Sequence, residues 1–260
     1  MLTEINGHQT RLVDVGEGDR VLLTQGGWIG NWELWKLQAE ALSQRGWRVI
    51  AFDHRGSGAS TAPVDQISLD AMVDDLHAVM DHCGVERAVL AGESMGSLVV
   101  QRAAVKDPER FSHLVIVSGA ARFPLTPPLR LFAAGLKYQY AMTLKLFVRL
   151  ATPERGAGKE IRDWGLSFLR EASPEAGRRL FDVLAGTDQR DVARKISLPT
   201  LVVHGTADLI VPYFFGRELS KLIPGARFVS MPWVGHVPTM TRPDEICQAI
   251  EGFVPARSAN

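Results

Sequence analysis

Short, nearly continuous apolar runs alternate along most of the chain with stretches whose apolar residues recur at helical spacing. The runs at 20–24, 47–52, 87–91, 111–117, 200–204 and 226–231 read as buried strands, because they are brief and bounded by turn residues. Between them the pattern predicts helices at 32–45, 69–83, 97–105, 212–223 and 243–253. Asn31 and Ser68 stand where N-caps belong, and Gly46 and Gly84 where a helix hands over to a left-handed residue. Residues 2–15 alternate instead, with a break at Asn6-Gly7 that predicts a two-stranded hairpin. Strands interleaved with helices predict a mostly parallel sheet covered on both faces. The alternation stops between Ser118 and Leu198. Pro124, Pro127 and Pro128 break the chain there. One helical pattern then runs from Leu129 to Phe147, and two more helices are predicted at 160–170 and 174–184. This insertion reads as a subdomain laid over one edge of the sheet.

One strand-to-helix junction carries candidate chemistry. Gly92-Glu93-Ser94-Met95-Gly96 follows the run 87–91 and precedes the helix 97–105. A serine on so sharp a turn is held clear of the sheet, with its hydroxyl oxygen free to attack. Small residues are needed two positions either side, since a β-carbon there would meet the neighbouring strand or helix on a strained backbone. A solvated serine on a glycine-rich turn would satisfy the same five residues, so the rest of the chain has to decide.

A serine hydroxyl is too weakly acidic to attack unaided. It needs an imidazole to take its proton and an acid to orient that imidazole. In open α/β sheets ligands bind beyond the carboxyl ends of the strands, so both partners are expected just after strands. Asp208 follows the run 200–204 in Gly205-Thr206-Ala207-Asp208, and His236 follows the last strand in Trp233-Val234-Gly235-His236. The other position for an acid, after the strand ending at Val117, is empty: no carboxylate occurs from Ser118 to Pro153. The developing oxyanion needs preorganised N–H donors. Met95, next to the nucleophile, supplies one; Gly27, in the turn Gln25-Gly26-Gly27-Trp28, is the second, with Trp28 as the alternative donor and a candidate wall of the acyl pocket.

Composition changes this picture little. The 260 residues allow one large domain or two small ones. Lysine plus arginine balances aspartate plus glutamate at 29 each, so electrostatics gives no reason to expect nucleic acid or a strongly anionic partner. Residues 1–10 lack the basic-then-apolar order of a signal peptide, and no run approaches the roughly 18 apolar residues of a membrane span. The expectation is a cytoplasmic monomer or homodimer without stable membrane insertion, acting on a small-molecule ester-like substrate. Cys83 and Cys247 are expected to be buried, reduced thiols. No histidine–cysteine cluster has metal-ligand spacing, and no cofactor is expected.

Four stretches in order resemble the α/β-hydrolase-fold serine hydrolases, in their esterase- and lactonase-like branch. They are the serine turn, Asp53-His54-Arg55-Gly56-Ser57-Gly58-Ala59-Ser60, the strand and turn from Pro199 to Asp208, and Gly235-His236. The resemblance spans essentially the whole chain. It implies an eight-stranded, mostly parallel sheet flanked by helices, with a helical cap inserted after the sixth strand. The core would then be 1–120 and 197–260, and the cap 121–196. It also implies a cofactor-free hydrolase that cleaves a carboxylic ester or lactone of a small, largely apolar substrate through an acyl-enzyme. Ser94 would attack, His236 act as base and then acid, and Asp208 orient it. The same constellation serves C–C bond hydrolases of vinylogous diketones, small-peptide aminopeptidases and low-turnover ligand receptors. Two departures stand out: Gln25-Gly26 replaces the family's His-Gly, and Gly96-Ser97 its Gly-Gly.

The remaining features have plainer readings. His8, His54, His77, His82, His113 and His204 read as structural or surface histidines, and Trp32 and Trp35 as core. The glycines after Arg55 lack the lysine of a phosphate cradle. The insertion carries Arg122, Arg130, Lys137, Lys145 and Arg149 with no acid among them. That tract is either a solvated face of an amphipathic helix or a site for a substrate carboxylate or an anionic surface.

Overall fold

Asn6 and Gly7 both take positive φ, 47° and 80°, the backbone that a two-residue hairpin turn requires. They join β1 (Leu2–Ile5) to β2 (His8–Val15) in an antiparallel pair. The computed structural model describes residues 1–154 and 158–255. In chain order there follow β3 (Arg20–Gln25), α1 (Lys36–Ser43), β4 (Trp47–Phe52), α2 (Leu69–His82), β5 (Ala88–Glu93), α3 (Gly96–Lys106) and β6 (Phe111–Val117). Five helices come next: α4 (Pro127–Tyr138), α5 (Tyr140–Ala151), α6 (Lys159–Leu169), α7 (Pro174–Leu184) and α8 (Arg190–Ala193). The chain closes with β7 (Thr200–Gly205), α9 (Tyr213–Leu222), β8 (Arg227–Met231), α10 (Pro238–Thr241) and α11 (Pro243–Glu251).

The eight strands form one sheet in the order β1-β2-β4-β3-β5-β6-β7-β8, parallel from β4 to β8 and antiparallel at the β1-β2 and β2-β4 pairs. Residues of β5 and β7 are all buried, as strands covered by helices on both faces must be. The order places a switch point between β3 and β5. The chain leaves β3 toward β4 on one side and returns to β5 on the other, which opens a crevice at their carboxyl ends. Gln25 pairs with Gly92 in register there, so the turn after β3 lies beside the turn after β5.

Three expectations need correction. The helix predicted at 32–45 opens as a separate 3₁₀ turn, Trp32–Trp35, before α1. Asn31 caps it through its side chain to the Glu33 N–H at 2.9 Å, and its carbonyl accepts the Leu34 N–H at 3.1 Å, which tightens the first turn. The pattern from Leu129 to Phe147 is two helices, because Gln139 leaves helical geometry at φ −143°, ψ 45°. A β-carbon on Gly135 would stand 2.5 Å from Thr143 Oγ1, so α5 folds back closely over α4 there. Cys83 is only half-buried, and Trp32 likewise; Cys247 and Trp35 are buried, and both thiols are free. The single-turn helices α8 and α10 carry too few residues to show a period. Among the described residues no helix is long and apolar enough to cross a membrane.

Candidate active site

Ser94 sits between β5 and α3 with φ +54°, a left-handed conformation that costs a non-glycine residue energy. Its amide donates to Val117 O at 3.0 Å and its carbonyl accepts the Ser97 N–H at 3.0 Å, which hold the turn. The flanking glycines are demanded by close approach. A β-carbon on Gly92 would meet Val100 Cγ2 at 2.7 Å, and one on Gly96 the carbonyl oxygens of Gly26 and Gln25 at 2.5 and 2.7 Å. The helix presses on one glycine and the end of β3 on the other.

The three residues expected after strands come together. His236 Nε2 lies 2.9 Å from Ser94 Oγ, and His236 Nδ1 lies 2.8 Å from Asp208 Oδ2. Oδ1 of Asp208 accepts the amides of Ile210 and Val211, each at 2.9 Å. The carboxylate is therefore fixed on both oxygens, which orients the imidazole. Burial alone would push the Asp208 carboxyl up. The charge of His236 and hydrogen bonds from His204 and His236 outweigh it and hold the group at about 2.

His204, read as structural, has a direct part in this arrangement. Its Nε2 is 2.9 Å from Val211 O and 3.1 Å from Asp208 Oδ2. Both neighbours are acceptors, so Nε2 carries a proton, and Nδ1 has no hydrogen-bond partner among the described residues. A β-carbon on Gly216 of α9 would stand 2.2 Å from that Nδ1, so glycine there makes room for the ring. The signal in the sequence was the four-residue spacing from His204 to Asp208 across a strand end.

Gly27 lies over Ser94: a β-carbon on it would be 3.1 Å from Ser94 Cβ and 3.7 Å from its Oγ. Neither the Gly27 nor the Met95 amide donates to a backbone acceptor in the turns and loops among the described residues. His54 supports this loop from below, with Nε2 2.9 Å from Gly27 O and Nδ1 3.0 Å from Arg55 O. Burial pushes the His54 pKa down, against the hydrogen bonds to these two carbonyls. The glycine-rich loop after Arg55 wraps Asp53, whose carboxylate accepts the amides of Ala59 at 2.7 Å and Trp32 at 3.0 Å. Within the loop the Ser57 amide donates to His54 O at 2.9 Å and the Ser60 amide to Ser57 O at 3.0 Å. Gln25, which stands where the resembled family has histidine, is fully buried, and neither of its amide atoms has a hydrogen-bond partner among the described residues.

A narrow cavity faces Ser94 and His236, walled by Trp28, Leu34, Phe147, Ile161, Phe168 and Met240. It holds about 50 Å³ of solvent-sized space, room for roughly four waters. Trp28 donates from Nε1 to Gly177 O of α7 at 2.8 Å, and its ring meets those of Phe132 and Phe147 at 5.3 Å each. None of Arg122, Arg130, Lys137, Lys145 and Arg149 lines this cavity. Glu93 borders it and is fully buried, accepting from Thr239 Oγ1 at 2.8 Å. Burial raises its carboxyl well above the ordinary value of 4.5, against the hydrogen bond from Thr239 and with help from the Asp208 charge.

That shift has a stability consequence. As pH rises above 4.5 the unfolded chain loses this proton first, so the native state loses stability up to its own raised pKa. Glu93→Gln has no proton to lose. Its melting temperature should match wild type near pH 4 and exceed it at pH 8, by roughly 2–4 °C for each kcal/mol regained. Parallel pH slopes in the two proteins would refute this origin.

Sequence reasoning missed Glu154, one residue beyond the stretch it searched for an acid. This buried side chain accepts the Gly235 amide at 2.7 Å and the Thr241 hydroxyl at 3.1 Å through Oε1. Nearby, the His236 amide donates to Ala151 O at the end of α5 at 2.8 Å. The insertion therefore grips the histidine loop at two consecutive amides. Glu154 touches the loop and leaves the imidazole to Asp208. Among the described residues no group of three or more histidine, cysteine, aspartate or glutamate side chains is placed to hold a metal ion.

The profile of the alpha/beta hydrolase fold family matches residues 20–243. The chain belongs to that family. This hydrolase is 30% identical over 245 residues to the AB hydrolase superfamily protein YisY of Bacillus subtilis, a match covering 88% of this chain and 89% of the relative. Among solved structures it is similar to a thermophilic esterase from Thermogutta terrifontis, with TM-score 0.85, 28% identity and 96% of each chain covered. It is similar also to Est816, described as an N-acyl homoserine lactone degrading enzyme, with TM-score 0.86, 26% identity, and 98% and 100% of the two chains covered.

Proposed function

We propose that this hydrolase cleaves a carboxylic ester or lactone of a small, largely apolar substrate through an acyl-enzyme on Ser94. The observation that carries the reading is the continuous relay from Ser94 Oγ through His236 to Asp208, with steps of 2.9 and 2.8 Å. His236 Nε2 takes the hydroxyl proton as Oγ bonds to the carbonyl carbon, and returns it to the leaving oxygen as the C–O bond breaks. Water then repeats the sequence and frees the acid. The Gly27 and Met95 amides would hold the oxyanion, where losing one donor typically costs ~3 kcal/mol of barrier stabilisation. Trp28 would bound the acyl group, and residues 121–196 would cap the site.

The cavity supports a short, apolar acyl group. Among the described residues its walls carry no lysine or arginine for a substrate carboxylate. The one carboxyl side chain among those described walls, Glu93, has a raised pKa and is a poor partner for a substrate amine. The names of the similar esterase and lactone-degrading enzyme agree with this chemistry. The test is a panel of p-nitrophenyl esters of increasing acyl length, several lactones, a carbamate and a ring-cleavage diketone. Sustained turnover should favour short acyl esters or lactones, and a fluorophosphonate should add its mass to the peptide holding Ser94. A single-turnover burst, or turnover of the diketone alone, would replace this reading.

Within this mechanism Glu154 is a positioning residue. Glu154→Ala should lower kcat by up to about 10²-fold, the cost of a small displacement of a reacting group. KM should change much less, and Glu154→Gln, which keeps an acceptor for the Gly235 amide, should recover most of the loss. A fall in melting temperature with kcat per folded molecule unchanged would make Glu154 merely structural.

A further inference from the structure

Many cations on this molecule have a carboxylate beside them, among them Arg48 with Asp14, Arg102 with Asp70, Lys106 with Asp74, Arg110 with Asp81 and Arg122 with Glu218. The α4–α5 hairpin gathers four that do not. Arg130, Lys137, Lys145 and Arg149 are exposed and form no ion pair among the described residues. No acid occurs anywhere from Ser118 to Pro153. Four exposed large apolar residues lie on the same helices: Leu131 is 75% exposed, Tyr138 73%, Met142 67% and Leu146 53%. After the opening prolines the exposed positions on α4 are 130, 131, 134, 137 and 138, and on α5 they are 141, 142, 145, 146 and 149. Each set recurs every three or four residues, so each helix presents one outward stripe in which cations alternate with Leu, Met and Tyr.

We propose that these outward faces of α4 and α5 form a peripheral docking surface for an anionic lipid bilayer. Exposed leucine and methionine between long basic side chains is the chemistry of an interfacial helix. The aliphatic groups enter the headgroup boundary, while lysine and arginine lie along it with their charges toward phosphate. Charge decides against a second copy of this chain. A two-fold interface sets the same patch against itself, which here would oppose unpaired cations with no acid between them. The neutrality of the whole chain hides this surface, because the balancing acids are spent on other faces. The proposal is independent of which bond the site cleaves.

The test is cosedimentation of the full chain with vesicles of phosphatidylcholine alone and of phosphatidylcholine with one third phosphatidylglycerol. Partition into the anionic vesicles should be at least about tenfold higher and should fall with added salt. Lys137→Glu/Lys145→Glu and Leu131→Ser/Met142→Ser should each reduce it by about tenfold. Turnover of a soluble p-nitrophenyl ester should stay unchanged, because none of these four residues lines the cavity. Equal partition into both vesicles, or full binding by both variants, overturns the proposal. Retention on polyglutamate without binding to anionic vesicles overturns it in favour of an acidic protein. Concentration-dependent dimers without vesicle binding overturn it in favour of a second copy.

Discussion

Ser94→Ala is expected to lower kcat/KM for a p-nitrophenyl ester by about 10³-fold or more, with the fold intact. The substitution removes the oxygen that lies 2.9 Å from His236 Nε2 and leaves the β-carbon in place. Alanine can occupy the same φ of +54° at a cost close to that of serine, and the backbone bonds to Val117 and Ser97 do not involve the side chain. What activity remains would come from the cavity and from the amides of Gly27 and Met95 acting on attack by water. The measurement is steady-state turnover with fluorophosphonate labelling and a thermal melt on the same sample. Full activity in a folded Ser94→Ala protein would rule out the covalent mechanism.

Asp208→Asn should cost about 10⁴-fold in kcat. The carboxylate receives His236 Nδ1 on one oxygen and the amides of Ile210 and Val211 on the other, with His204 Nε2 3.1 Å from Oδ2. A carboxamide has only one acceptor end. Either orientation sets its N–H₂ against donors, and the one that satisfies the backbone turns a donor toward His236 and favours the wrong tautomer. The pH dependence has a definite sign. With the folded carboxyl at about 2 and an ordinary value of 3.8, its stabilisation is complete above 3.8 and is lost as pH falls toward 2. That stabilisation is worth about 2 kcal/mol. Thermal melts should therefore converge for wild type and Asp208→Asn in acid and separate toward neutral pH. An Asp208→Asn enzyme with wild-type kcat would remove the aspartate from the mechanism.

The elements most legible in the sequence were those whose environment repeats. Buried parallel strands show as short apolar runs because both faces are covered, and β5, β6 and β7 lie within two residues of their predicted ends. That Ser94, Asp208 and His236 lie together was legible because loops at the carboxyl end of a parallel sheet converge, so that order along the chain stands in for distance. The nearness of Gly27 to Ser94 follows on the same ground, since Gln25 and Gly92 are register partners. The break at Gln139 was invisible, because the apolar period continues through it while the backbone leaves helical geometry and α5 folds back with Thr143 close against Gly135. Glu154 and His204 look unremarkable in sequence. Each acts on a residue far away in the chain or across a strand end, through contacts that a period does not encode.

By itself, then, the sequence determined the alternating strand–helix architecture, the serine turn and the order of its partners, because each depends on local pattern and on rules of parallel-sheet topology. Tertiary structure alone decided what surrounds them. It raised the pKa of Glu93 by burial, set His204 against Asp208, tied Glu154 to the Gly235 amide and left a cavity of about 50 Å³ before Ser94. It also turned the basic residues of α4 and α5 outward, away from the site. Burial, close approach and the sharing of charge between distant segments are properties of the packed chain, and they exist only once the chain has folded.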